Sequence, residues 1–405
     1  MNEPSAPGMA SARTGRGFSL GMNYWPASSA MRMWRRFEPS EVERDFDRCA
    51  AAGCDAVRVF LLWEDFQPDP STVDDRALER LRTVADLAGR SGLGLVPTLF
   101  TGHMSGVNWI PAWALGTQPA GRFRTIAGDA AVDRESRDWT ADPVVGAAQA
   151  LLAREAAAAL AGHPALRLWD LGNENSNCVV PATREHGRRW LAAMAGAIRS
   201  ADASTPITIG LHAEDLEEDR RIGPAEAAEV CDVLSMHGYP MYLRWAAGRD
   251  DEVVLPFLAS ITRWLGRKDV LFEEFGAATL DPTDPPPPDA AGMLLTEDAA
   301  AAYTDRALDA IHVVGCTGAY LWCYADYDRS LWTMAPLDHA THERHFGLWR
   351  ADGSAKPAVG SLPGWSGRAV PQRPDDGWID IRRAEYFARP LAHLARLYDA
   401  YRTRR

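Results

Sequence analysis

Short apolar runs alternate along the chain with longer stretches in which apolar residues recur every three or four positions. The short runs lie at 18–24, 55–61, 93–99, 166–171, 206–210, 231–236, 269–273 and 317–323. The longer stretches cover 39–52, 74–91, 143–161, 183–201, 224–230, 253–266 and 296–314, with Arg, Glu and Asp at the outward positions. The spacing predicts a buried strand for each short run and a helix for each longer one. Strands apolar along their whole length, separated by helices, predict a parallel sheet covered by those helices. Eight such units predict a single closed (β/α)8 barrel, an α/β fold, rather than an open doubly wound sheet. No Gly-x-Gly-x-x-Gly follows the first run, which weakens a dinucleotide-binding reading.

The connections are unequal. Residues 100–142 after the third strand carry Trp109, Trp113 and Trp139, the stretch after the seventh carries Pro282 and Pro285 to Pro288, and 324–355 follows the eighth. All three leave the C-terminal ends of strands, where barrel active sites are built. Residues 1–17 read as a disordered leader, 18–362 as the barrel, and 363–405 as an extension that packs on the barrel or forms a subunit contact.

Composition narrows the class of partner. Lys and Arg number 43 against 55 Asp and Glu, a net charge of −12, which argues against nucleic-acid binding. No run of 18 apolar residues is present to span a membrane. The leader lacks the apolar core of a secretory signal, and the six cysteines form no Cys-x-x-Cys. Both features predict reduced thiols in a cytoplasmic protein. The 15 Trp outnumber the 12 Phe and 10 Tyr, which means either a Trp-rich core or flat rings offered to a ligand.

Two carboxylate positions bear on chemistry. Glu174 ends the fourth strand in WDLGNEN, and Glu273 and Glu274 end the seventh in LFEEFG. Strands four and seven face each other across a barrel mouth, so the acids can approach one another. Such a pair divides into a proton donor and an ionised nucleophile, and at about 5–5.5 Å it performs retaining glycoside hydrolysis.

Asn173-Glu174 and Glu274-Phe275-Gly276 resemble the two signature motifs of clan A glycoside hydrolases, most closely glycoside hydrolase family 5, the cellulase and mannanase family. The likeness extends over roughly 18–360. It implies that Glu174 is the acid/base, that Glu274 is the nucleophile, and that Glu273 supports the strand or caps its turn. It implies a partner for Arg58, a cation inside the apolar run AVRVF: pairing with the nucleophile to keep it ionised. Asn173 would bond the sugar 2-hydroxyl, His237 and Tyr239 in MHGYP would flank the acids, and Trp322 in YLWCY would be the stacking platform under the cleaved sugar. His103 in FTGHMSG, with Asn23 and Trp25 in GMNYWP, are further candidates for the same subsite.

His339, His342, Glu343 and His345 lie close enough in HATHERH to suggest a metal. The spacing is not His-Glu-x-x-His, and substrate contacts from this loop are the preferred reading. The expectation is a retaining β-glycosidase for small imported oligosaccharides, with no cofactor and no metal. GMNYWP and TGHMSG most resemble intracellular β-mannosidase members of family 5, and the long loops favour exo action. A β-glucosidase or endo-glycanase of the same fold is the alternative, with a non-catalytic carbohydrate-binding barrel or a metal-dependent barrel hydrolase behind it. An oligomer through the C-terminal extension is left open.

Overall fold

The computed structural model describes residues 17–281 and 290–404. The expected leader, except its last residue Gly17, and the proline-rich stretch from Pro282 to Pro288 lie outside the described residues. Eight parallel strands form the barrel wall: β1 (Ser19–Tyr24), β2 (Ala56–Leu62), β3 (Gly94–Thr101), β4 (Trp169–Asn173), β5 (Ile207–Gly210), β6 (Leu234–His237), β7 (Val270–Phe275) and β8 (Gly318–Leu321). They pair in the order β6-β7-β8-β1-β2-β3-β4-β5. The ring closes between β5 and β6, where His237 N–H donates to the Leu211 carbonyl at 2.7 Å and the Ser235 hydroxyl to the Ile209 carbonyl at 2.6 Å. The fold is the (β/α)8 barrel the alternation predicts.

Helices α1 (Pro39–Ala51), α2 (Asp75–Arg90), α3 (Pro143–Leu160), α4 (Arg184–Ala201), α5 (Pro224–Ala227), α6 (Val254–Gly266) and α7 (Glu297–Val313) cover the wall. Local chemistry starts them: Asp74 caps α2 by accepting from Ala77 N–H at 2.8 Å, and α1 and α3 open on a proline, whose missing N–H costs nothing there. A short turn at Pro357–Ser361 packs against α7 where an eighth helix would lie. Beyond it, α8 (Pro390–Arg402) lies against α6, with Leu394, Leu397 and Tyr398 buried. Tyr386 donates to the Leu216 carbonyl at 2.8 Å, and Tyr398 to Asp251, which binds the extension to the barrel. Among the described residues no helix is long and apolar enough to cross a membrane.

The barrel interior is layered. Ala56, Val96, Leu271 and Tyr320, from four strands, with Leu168 just before β4, form a small apolar cluster separate from the main core. Two residues beyond Ala56, Val96, Leu168 and Leu271 stand Arg58, Thr98, Asp170 and Glu273, each fully buried. A period of two keeps both sets on the inward face. A buried charged layer therefore rests on an apolar plug, directly beneath the mouth.

Above it the long connections are tied together. The β3–α3 connection folds a four-stranded sheet from His103–Met104, Val107–Trp109, Arg124–Ala127 and Ala130–Val132. Arg124 pairs with Asp338 in the loop after β8 at 3.2 Å. Arg32, after β1, pairs with Asp129 at 3.0 Å and donates to the Ala335 carbonyl at 3.0 Å. Loops after β1, β3 and β8 thus share one wall of the mouth.

Candidate active site

Arg58 organises the site. Its Nε donates to Thr98 Oγ1 at 2.8 Å and Asp170 Oδ2 at 3.1 Å, and its Nη2 to Asp170 Oδ2 at 2.7 Å and Asn173 Oδ1 at 2.9 Å. Its Nη1 donates to Asn23 Oδ1 at 3.1 Å and Glu274 Oε1 at 2.5 Å. Every donor of the rigid guanidinium fork is committed. Asn23 in turn donates to the backbone carbonyls of Glu273 and Leu321 at 2.9 and 3.1 Å, and so joins β1 to β7 and β8.

Strict alternation would turn only Glu273 inward. The pairing register of β7 shifts between Phe272 and Phe275 on one side and opposite Met236 and His237 on the other. This bulge brings Glu274 inward as well, one step nearer the mouth. Glu274 Oε2 accepts from the Tyr239 hydroxyl at 2.9 Å. Glu174 follows β4 in a left-handed conformation, φ 46°, which a non-glycine residue adopts at a cost of about 1–3 kcal/mol. Its Oε1 accepts from His237 Nδ1 at 3.0 Å and its Oε2 from Asn177 Nδ2 at 3.2 Å. Glu174, His237 and Glu274 each offer an atom within 4.8 Å of the other two. A metal ion there would have to displace Arg58, Tyr239 and His237 from the carboxylates they already serve.

Burial and charge set the protons. Burial pushes the Glu274 carboxyl up and the Glu174 charge adds to this, while His237, Arg58 and Tyr239 pull it back. Both its oxygens accept donors, so the ionised form is the one whose hydrogen bonds are complete. Burial also acts on Glu174, but His212, His237 and His103 outweigh it and hold that carboxyl below its usual range. Burial alone would lower His237, yet Glu274, Glu174 and Glu273 raise it to about 10. A proton shared between Glu174 and His237 therefore resides on His237, one hydrogen bond from the carboxylate. Burial lowers His103, while Glu174 and Asn108 pull it back up.

The remaining expected residues divide. Asn173 is fixed by Arg58 and by donation to the His103 carbonyl at 2.9 Å. His103 Nε2 lies 3.8 Å from Glu174 Oε2, its ring against Phe123. Trp322 is buried, edge-on to Phe60, and its Nε1 donates to Glu343 at 3.3 Å. Trp25 is fully buried and stacks on Phe60, so it supports that ring instead of lining a subsite. Trp63 meets Trp113 and Trp139 edge-to-face at 5.3 and 5.9 Å, and Trp109 is fully buried under Arg32. Of the two readings of the tryptophan excess, these rings take the first: they belong to the core. Trp332 is flanked by Arg329 and Arg344 in the loop after β8.

His342 Nε2 bonds the Tyr242 hydroxyl at 2.7 Å, and the His345 ring lies against Trp332, so the imidazoles of HATHERH serve different partners. Sequence reasoning missed Asp170, His212 and Asn177. Asp170, like Arg58, is a charge inside an apolar strand, and that signal was present. His212 lies past β5 and reaches Glu174 Oε2 at 4.0 Å, a contact that only the closed ring creates.

Comparison with known proteins places this geometry. No protein-family model and no curated protein matches the chain. Among solved structures, the exo-β-1,4-mannosidase Op5Man5 from Opitutaceae bacterium strain TAV5 superposes with TM-score 0.71 at 29% identity, covering 89% of this chain and 61% of that one. A GH5_18 protein from Streptomyces cattleya in complex with GlcNAc gives TM-score 0.73 at 25% identity over 89% of this chain and 82% of that one. The chain is a family 5-like clan A barrel. A variant of the Streptomyces cattleya protein in complex with Manβ1-4GlcNAc gives 0.70 at 25% identity over 85% and 79% of the two chains. The family 5-like chain spans about three-fifths of the length of the Opitutaceae enzyme.

Proposed function

We propose that this protein is a retaining β-glycoside hydrolase that releases mannose from the non-reducing end of small β-linked oligosaccharides. The observation that carries the reading is the carboxylate pair: Glu174 and Glu274 present oxygens within 4.8 Å of each other, each held by its own donors. So close an approach is in keeping with the carboxyl spacing of about 5–5.5 Å in retaining enzymes. Glu274, oriented by Arg58 and Tyr239, attacks the anomeric carbon. Glu174 gives a proton to the leaving oxygen and then takes one from water to free the sugar. Glu174 is the more exposed of the two, with 14% of its side chain accessible against 5% for Glu274, as that second step requires.

The tied loops after β1, β3 and β8 support exo action, because they close one side of the mouth. The mannosidase and the Manβ1-4GlcNAc complex among the similar structures support mannose. A panel of p-nitrophenyl β-sugars with manno- and gluco-oligosaccharides tests this. Fast release of mannose alone, first as the β-anomer, is expected. Preference for β-glucosides, or a ladder of internal products, would replace the exo-mannosidase reading with one of its alternatives. A first product of inverted configuration would overturn the double displacement.

A further inference from the structure

Glu273 is a fully buried carboxylate for which the mechanism above has no use. Both its oxygens lack a hydrogen-bond partner among the described residues. It lies 3.6 Å from His237 Nε2 and 3.4 Å from Arg58 Nε, whose protons already go to Thr98 and Asp170. His237 is fully buried between Glu273 and Glu174: Nδ1 donates to Glu174 at 3.0 Å, while Nε2 has no hydrogen-bond acceptor and faces Glu273. A buried carboxylate without a close hydrogen bond is costly unless its charge is used, and the cations beside Glu273 are Arg58 and His237. We propose that Glu273 is a positioning residue, the buried counter-ion that keeps His237 doubly protonated with its Nδ1–H aimed at Glu174, so that the acid/base is charged with its proton from beneath. This deepens the reading of the site as a retaining glycosidase and rests on it.

The proton count closes. His237 passes its Nδ1 proton to Glu174 Oε1, and Glu174 passes a proton to the leaving oxygen. In the second half-reaction Glu174 takes a proton from water, and His237 regains its own along the same bond. The charges around this line are Arg58 from β2, Asp170 from β4, Glu174 beyond it and Glu274 on β7, with His103 and His212 facing Glu174. Tyr239 after β6, Tyr320 on β8 and Cys231 before β6 are the other titratable groups near them. Arg58 shares its charge among Asp170, Glu274 and Glu273, and Glu273 is the acid that faces His237 Nε2.

The test is Glu273→Gln, which keeps the shape and removes the charge. Loss of a negative charge beside His237 makes the cation easier to deprotonate, so the alkaline limb of kcat/KM moves to lower pH by about a unit or more. Above the shifted limb, a β-linked disaccharide, whose leaving group needs the proton, should lose at least about tenfold more in kcat/KM than dinitrophenyl β-mannoside, whose leaving group does not. Equal losses on both substrates with an unmoved alkaline limb would leave Glu273 a packing residue and overturn the proposal. If the variant fails to fold, nitrogen NMR of the wild-type imidazoles, assigned with His237→Gln, decides it. A doubly protonated His237 at pH 7 to 8 is expected, and a neutral ring there would overturn it. A wild-type protein that cleaves no β-glycoside removes the glycosidase reading, while the NMR result still settles the Glu273–His237 contact.

Discussion

A cation in the apolar run of β2 was legible as a residue needing a partner, and Arg58 has three carboxylates around it. Which acids they are was only partly legible. Asp170 sits two positions beyond the plug residue Leu168 and so faces inward by the same alternation that turns Arg58 inward. Replacing Arg58 with Met leaves these buried charges unmatched and should cost about 3–5 kcal/mol of stability, read from denaturant midpoints. Lys cannot serve both edges of the fork, so Arg58→Lys should fold but lose most turnover. Glu174→Ala should lower kcat on a disaccharide by about 10²–10⁴, with partial rescue by azide, while dinitrophenyl glycosides suffer less. Wild-type kcat/KM should be bell-shaped. Its acid limb lies above the ordinary carboxylate range because burial raises Glu274, and its alkaline limb lies well above neutrality because His237 is raised to about 10.

Element boundaries follow the apolar pattern closely, because each strand and helix buries the face its period defines. Two features escape that logic. The β7 bulge puts consecutive glutamates on one face, and no local pattern announces it; resemblance alone favoured Glu274. Whether the tryptophans near strand ends face a ligand or the core is not legible either, because chain position marks the mouth but says nothing of depth. Trp63 packs edge-to-face against both Trp113 and Trp139. Trp139→Ala should therefore lower stability by about 3–5 kcal/mol and leave KM unchanged, whereas Trp322→Ala should raise KM and lower kcat in an intact fold. Shortening the hairpin that carries Asp129, which removes its pair with Arg32, should open the wall. Internal cleavage of a mannohexaose, seen by chromatography, is the expected gain, and mannose as the sole product would place the exo determinant elsewhere.

At the scale of the whole molecule, an apolar plug, a charged layer and a tied rim are stacked along one axis, and stability and catalysis share the charged layer. His237 titrates higher in the folded chain than the usual 6.5 of an unfolded one. Its contribution to stability is therefore fully present below pH 6.5 and is lost as the pH rises through about 10. The melting temperature should fall across that window, and fall less in His237→Gln. The extension was legible only as an amphipathic stretch, since the surface it covers is made by α6 and the loop after β5. A chain ending at residue 362 uncovers Trp245, Trp264 and Phe257, and should melt lower and aggregate. The central claim is that Glu274 forms a covalent bond to mannose. Trapping with a fluorinated β-mannosyl fluoride, followed by peptide mass spectrometry, tests it directly. The account predicts one mannosyl label, on Glu274. A label on Glu273 or Glu174, or no label on a protein that still turns over β-mannosides, would contradict it.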